Sequence, residues 1–324
     1  MEDVKDIVFK VVQEFLCTTP LIIWGSGATV PCGLPTMGCL AKHLKDTMLP
    51  DLELATNLEA VLGESQYEPL QPEIKRRIWE YISTYDLKFL ESLSNGNGNG
   101  DAYVAAIGKL LDKFTFAHPR KLDIVTTNYD RVLEYICSLN NMCYADGTGL
   151  TDLSIFDPNR FKNEKCVNII KVHGSLSWFD VDGDIRNLSK GTGNASPVII
   201  IPGKNKYRES SQIPYRELIQ KSDIAVDSAK SFLSIGFGFN DEHITPEIIK
   251  SVNKGAPIVV VTMRVSETCR AALKKASQYV LIEASSANDR ESLVTIKQKG
   301  LPNIKELVLE GCYWSLPKFM EIFI

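Results

Sequence analysis

Four short segments, far apart along the chain, carry the residue types that could do chemistry. They are Gly25-Ser26-Gly27-Ala28, Thr127-Asn128-Tyr129-Asp130, His173-Gly174-Ser175 and Gly236-Phe237-Gly238-Phe239-Asn240-Asp241. Each follows an apolar run: Leu21 to Trp24, Ile124 to Val125, Val167 to Val172 and Phe232 to Ile235. Short apolar runs ending in glycine or polar clusters read as buried parallel strands with functional loops. In open parallel sheets, ligands bind outside the C-terminal strand ends. Four such ends imply one crevice, with residue types that suit a nucleotide.

The residue types suggest distinct roles. A strand ending in Gly25-Ser26-Gly27-Ala28 allows a tight turn and close backbone approach to a pyrophosphate. It also fits an ordinary strand-to-helix turn. Asn128 could hold a water or a ribose hydroxyl and Asp130 could orient Asn128 or stabilise positive charge, or the two could be an N-cap pair for the next helix. His173 at a strand end is placed for acid–base work, with a structural histidine as the other reading. Trp178 reads as a wall or core residue. His43, His118 and His243 are scattered without metal-ligand spacing.

Positioning these segments requires alternating strands and helices. Helical periodicity covers residues 3–17, and Thr36 caps a second helix running to about Leu49. Residues 51–120 are helical in pattern and carry no strand signal, broken by the turn-rich stretch 94–100. Strands are then expected at 123–126, 166–172, 197–201, 232–235, 257–262 and 279–283. Helices are expected at 129–139, 242–253, 266–276 and 315–324, and loops at 140–165 and 180–215. The fold class is α/β, a Rossmann-like parallel sheet flanked by helices, with a helical insertion at 51–120.

Composition narrows the function. With 324 residues and 44% hydrophobic content the chain reads as one large globular domain. No apolar run reaches the roughly 18 residues of a membrane span, and the first ten residues lack a signal-peptide pattern, so a cytoplasmic location is expected. The net charge of −4 and the lack of a long basic block argue against direct nucleic-acid binding. Lys204 to Arg208 is the most basic stretch and reads as a solvated loop. The eight cysteines include no Cys-x-x-Cys pair, so no metal site is expected. Cys137 and Cys166 read as small core residues, while Cys32 and Cys39 flank the glycine-rich turn.

The combination of Gly25-Ser26-Gly27-Ala28 with Gly33-Leu34-Pro35, then Thr127-Asn128-Tyr129-Asp130, then His173-Gly174, resembles the sirtuin family. Sirtuins carry, in the same order, a Gly-Ala-Gly loop with Gly-Ile-Pro, a Gln-Asn-Ile-Asp block and a His-Gly pair. The resemblance runs from about residue 20 to 285 and implies a SIR2-like domain over 1–324. Phe237 to His243 resembles the SIR2-like branch of bacterial anti-phage systems, which hydrolyses NAD+. Three features depart from sirtuins. Thr36-Met37-Gly38 stands where they have Asp-Phe-Arg, Thr127 replaces their Gln, and their four-cysteine zinc module is missing.

The resemblance implies NAD+ as substrate, with no further cofactor, and a defence effector that depletes NAD+. It assigns catalysis to Asn128, His173 and Asp130. Gly25, Ser26, Gly27, Ala28, Thr127, Gly236, Gly238 and Asn240 would contact the dinucleotide. Homo-oligomerisation and a partner ATPase or sensor protein are the expected controls. Protein deacylation or ADP-ribosyl transfer is the second reading, and a non-catalytic NAD or ADP-ribose sensor the third.

Overall fold

The computed structural model describes residues 3–52, 58–96, 101–191, 195–202, 213–300 and 305–323. Residues 97–100 of the turn-rich stretch and the basic stretch Lys204 to Arg208 lie outside the described residues.

Helix α1 (Val4–Phe15) buries Val8, Val11, Val12 and Phe15 on one face and is capped by Asp3. Strand β1 (Leu21–Trp24) is buried throughout. Helix α2 (Met37–Thr47) starts where the Thr36 hydroxyl accepts the Cys39 N–H. Helices α3 (Leu58–Leu62), α4 (Gln71–Ser94) and α5 (Ala102–Thr115) follow. Then come β2 (Lys121–Thr126), α6 (Val132–Leu139), β3 (Tyr144–Ala145) and β4 (Cys166–Lys171). Next are β5 (Gly174–Val181), β6 (Asp184–Asn187) and β7 (Ser196–Ile199). The chain continues through α7 (Tyr215–Ser228), β8 (Phe232–Ile235), α8 (Ile244–Asn253) and β9 (Ile258–Val261). It ends with α9 (Glu267–Leu273), β10 (Tyr279–Ala284), β11 (Glu291–Lys297), β12 (Lys305–Glu310) and the short α10 (Leu316–Phe319).

The main sheet has nine strands in the order β12-β11-β10-β9-β8-β1-β2-β4-β3. From β10 to β3 every pairing is parallel; β11 and β12 extend one edge antiparallel. After β1 the chain builds outward through β2 and β4, then crosses back to start the other half at β8. The strand order therefore reverses beside β1, the position at which open α/β sheets form a crevice.

Alternate side chains of β1 enter opposite faces. Ile22 and Trp24 join the core under α1, α5, α6 and α10, while Leu21 and Ile23 join the core under α7, α8 and α9. Burial on both faces explains why these strands read as unbroken apolar runs. A third cluster joins α2, α3 and α4 to Ile199 and Ile201. Helix α5, by contrast, packs on β2 and β4.

The structure departs from the sequence pattern at three points. The strand at 197–201 was expected in the parallel sheet. Instead β7 joins a separate antiparallel sheet, order β6-β5-β7. Gly174, at φ 86°, turns the chain immediately after His173 and starts β5 against β7; a Cβ on Gly174 would lie 2.1 Å from the Val198 carbonyl oxygen. The stretch 180–215 also holds β6, at Asp184–Asn187, where the sequence predicts a loop. The helix expected from Tyr129 begins at Val132, leaving Asn128 to Arg131 in a loop.

Candidate functional site

The turn after β1 is locked onto the turn after β8. Gly25 N–H donates to the Ile235 carbonyl at 3.0 Å, and Gly27 N–H to the Gly236 carbonyl at 3.0 Å. Ala28 and Thr29 N–H groups return to Gly25 and Ser26 within the turn itself. A Cβ on Gly25 would lie 2.3 Å from the Gly236 oxygen, and one on Gly236 would lie 2.2 Å from Ala28 N. Gly236 also has φ 60°. The glycines thus permit loop-on-loop contact, and four N–H groups of this turn are spent inside the protein. Ser26 and Thr29 face the cleft above.

The loop after β2 is fixed from several sides. The Thr126 hydroxyl donates to the Trp24 carbonyl at 2.7 Å and accepts Asn128 N–H at 3.0 Å. Asn128 Nδ2 donates to the Gly25 carbonyl at 3.3 Å and to Thr29 Oγ1 at 3.4 Å. Thr29 Oγ1 in turn lies 3.3 Å from Asp130 Oδ2. Asp130 Oδ1 accepts Val132 N–H at 3.3 Å, so this carboxylate both caps α6 and touches the cleft. Its link to Asn128 runs through the Thr29 hydroxyl.

Two buried ion pairs brace the same loop. Lys171, 1% exposed, contacts the Asp130 carbonyl oxygen and pairs with Glu134 at 2.6 Å. Asp86 of α4, fully buried, accepts from Arg131 N–H at 2.7 Å, its Nε at 2.9 Å and its Nη2 at 2.6 Å. Burial pushes the Asp130 carboxyl up to about 6, against the pull of Lys171. Burial likewise pushes Glu134 up to about 7, with Lys171 opposing.

His173 lies between β4 and β5, with its carbonyl accepting the Ile200 N–H at 2.9 Å. Its Nε2 is 3.0 Å from Asp241 Oδ2, both side chains being buried. Asp241 Oδ1 accepts the N–H groups of His243 and Ile244, each at 3.0 Å, at the start of α8. One carboxylate therefore caps a helix and faces the imidazole.

These groups open on one cleft of about 390 Å³ at the C-terminal ends of β1, β2, β4 and β8. One wall is polar, with Ser26, Thr29, Asn128, Asp130, His173 and Asp241. The other is apolar, with Leu34, Met37, Leu40 and Ala41 from α2 and its approach, and Leu58 and Ile82 from α3 and α4. Such a cleft suits a ligand with a hydroxyl-rich part and a flat or apolar part. Among the described residues no group of three or more His, Cys, Asp or Glu could hold a metal ion.

Residues 123–296 match the family model described as a SIR2-like domain, more than half of the chain. The chain belongs to the SIR2-like domain family. Solved structures with similarity to this SIR2-like chain share little sequence with it. A Sir2 homologue in complex with NAD is 12% identical, covering 87% of this chain and 88% of that one, with a TM-score of 0.45. Sir2Tm bound to a propionylated peptide is 12% identical, covering 80% and 88%, with a TM-score of 0.46. A Sir2 homologue mutant in complex with 2'-O-acetyl ADP ribose is 15% identical, covering 85% and 89%, with a TM-score of 0.47. No curated protein matches the chain.

Of the residues expected at the site of this SIR2-like domain, Ser26, Thr127, Asn128, Asp130, His173, Gly238 and Asn240 line the cleft. Gly25, Gly27, Ala28 and Gly236 form the interlocked turns that support it. Asp241 and Thr29 also line the cleft, without a role that the sequence motifs assign. Asp241 ends the fourth cluster and Thr29 follows the first, so adjacency was the available signal. Asp86 and Lys171 gave none: each is a charged residue in a helix or strand pattern. Burial pushes the Cys32 thiol up, whereas the Thr36 hydroxyl, 3.2 Å from Cys39 Sγ, holds that exposed thiol below its ordinary range. Trp178 is fully buried, edge-on to Phe156. No helix among the described residues is long and apolar enough to cross a membrane.

Proposed function

We propose that this cleft binds NAD+ and breaks the bond between nicotinamide and ribose, with water as the acceptor. The observation that carries the reading is the convergence of Asn128, Asp130 and the His173–Asp241 pair, from three strand ends, on one cleft. Nicotinamide leaves a cationic ring as a neutral molecule, so the protein supplies no general acid. Its tasks are to stabilise positive charge on the ribose and to place the nucleophile. The carboxylates of Asp130 and Asp241 favour that charge. Asn128 commits Nδ2 to Gly25 and Thr29, which leaves Oδ1 to accept a hydrogen bond from water. His173, oriented by Asp241, takes a proton from the water or a ribose hydroxyl.

A second reading keeps the same bond cleavage and changes the acceptor to an acylated peptide or a protein side chain. The ligands of the solved Sir2 structures, a propionylated peptide and 2'-O-acetyl ADP ribose, favour it. The missing four-cysteine module favours water. A role in anti-phage defence rests on the resemblance of Phe237 to His243, as does control by homo-oligomerisation or a partner ATPase or sensor. Phage challenge of cells carrying active and inactive forms tests that role.

The biochemical experiment incubates the pure protein with NAD+, with and without an acyl-lysine peptide, and separates the products. Nicotinamide with ADP-ribose supports hydrolysis, and O-acyl ADP-ribose supports deacylation. Binding without turnover leaves a sensor. Asn128→Ala and His173→Ala should each lower kcat by about 10²-fold or more with the fold retained.

A further inference from the structure

At the opposite end of the sheet a second cleft, of about 440 Å³, contains two cysteines. Cys143 precedes β3 and Cys166 opens β4; their Sγ atoms are 3.3 Å apart. The strands are parallel with Tyr144 opposite Val167, and Val167 N–H donates to the Cys143 carbonyl at 2.9 Å. The two cysteines are thus cross-strand neighbours on adjacent strands. Strands lie about 4.7–4.9 Å apart, within the roughly 4.4–6.8 Å Cα separation that a disulfide spans. Cys143 is exposed and Cys166 is buried. Arg120 and Lys165 line the same cleft.

We propose that Cys143 and Cys166 are a redox modification site, closing to an intramolecular disulfide when a small peroxide enters this cleft. The Cys143 thiolate attacks one peroxide oxygen, the O–O bond breaks, and a sulfenic acid forms as the other oxygen leaves as water. The Cys166 sulfur then attacks the Cys143 sulfur and expels the sulfenic oxygen as a second water. Both thiols lose a hydrogen, the two sulfurs together give up two electrons, and hydrogen peroxide is reduced to two waters. Exposure makes Cys143 the first sulfur oxidised. Cys166, 3.3 Å away, is the resolving sulfur by position; burial, with Cys143 alongside, pushes its thiol up, so its proton leaves with the sulfenic oxygen as water in the same step.

The full chain is treated with hydrogen peroxide and then alkylated, digested and mapped by mass spectrometry. The expected product is a monomer lighter by two hydrogens, with a Cys143–Cys166 peptide pair that dithiothreitol separates. Cross-linking residues 23 apart should raise the unfolding temperature by about 5 °C. Cys143→Ser should abolish the cross-link and the shift. Cys166→Ser should leave a sulfenic acid on Cys143 that dimedone captures. Peroxide products confined to Cys17 or Cys39, with Cys143 and Cys166 still alkylated in full, would overturn the proposal. So would a thermal shift that persists in Cys143→Ser.

Discussion

Replacing Asp241 separates two jobs held by one carboxylate. Oδ1 receives two N–H groups at the start of α8, and Oδ2 stands 3.0 Å from His173 Nε2. Asp241→Asn keeps the capping oxygen and removes the charge facing the imidazole; Asp241→Ala removes both. Losing an N-cap acceptor costs about 1–2 kcal/mol. Unfolding entropy for a chain of 324 residues is on the order of 0.7 kcal/mol/K, so Asp241→Ala should lower Tm by roughly 1.5–3 °C. Asp241→Asn should stay within about 1 °C of the parent. Turnover should behave differently. A positioned acid–base group contributes at least about 10²-fold, so both variants should lose on that order of NAD+ cleavage. Thermal unfolding by circular dichroism and nicotinamide release by chromatography read the two effects independently. Asp241→Asn with full turnover would refute the assignment, because the carboxylate facing His173 would have proved dispensable.

The remaining expectations concern Asp130 and the glycines. Burial raises the Asp130 carboxyl from its ordinary range near 3.8 to about 6. Between about pH 4 and 6 the folded protein therefore holds a proton that the unfolded chain has released, and this group lowers stability as pH rises through that window. Its charge reaches the cleft only above it, so kcat should climb along a limb centred near pH 6. Asp130→Asn should remove that limb; a pH–rate profile unchanged in the variant would assign the limb elsewhere. Gly236→Ala puts a Cβ 2.2 Å from Ala28 N at φ 60°, whereas Gly33→Ala meets nothing within 4 Å and bears only the strain of φ 86°. The first should cost about 3 kcal/mol or more and the second about 1 kcal/mol, measured by denaturant unfolding. Equal costs would show that conformational strain alone governs both.

Much of the cleft was legible because parallel strands buried on both faces announce themselves as apolar runs, and the polar residues after them stand out. Asn128 and His173 were found that way. The pairing of His173 with Asp241 was not, since 68 positions separate them and a carboxylate before a helix is accounted for by capping. Asp86 was hidden for a related reason. A charged residue in a long amphipathic helix reads as solvated, and the Arg131 guanidinium with the Tyr135 hydroxyl, 2.8 Å from Oδ2, makes its burial tolerable. The small sheet was misread because its strand at 197–201 has the same apolar character as the central strands. What differs is the reversal at Gly174, which depends on the contact with Val198 and leaves no periodic signal. Strands β11 and β12 went unread. β11 mixes Glu291, Ser292, Thr295 and Lys297 with its apolar residues, and the edge strand β12 is mostly exposed, so both lack the unbroken apolar run of the central strands.

The locked turns beneath the cleft also constrain how this sequence can drift. The nearest obstacles to a Cβ at Gly25, Gly27 and Gly236 are all backbone atoms of the opposing turn. Trimming a neighbouring side chain therefore cannot rescue a substitution at any of them, unlike an overpacked core, where a second replacement restores the volume. The three positions behave as a single heritable unit: double mutants among them should show no mutual suppression, and an escape requires the length of one turn to change. Because Asn128 donates to the carbonyl of Gly25, an altered turn also moves the anchor of the carboxamide. Any lineage that gave up the glycines would have to rebuild this part of its chemistry in the same step.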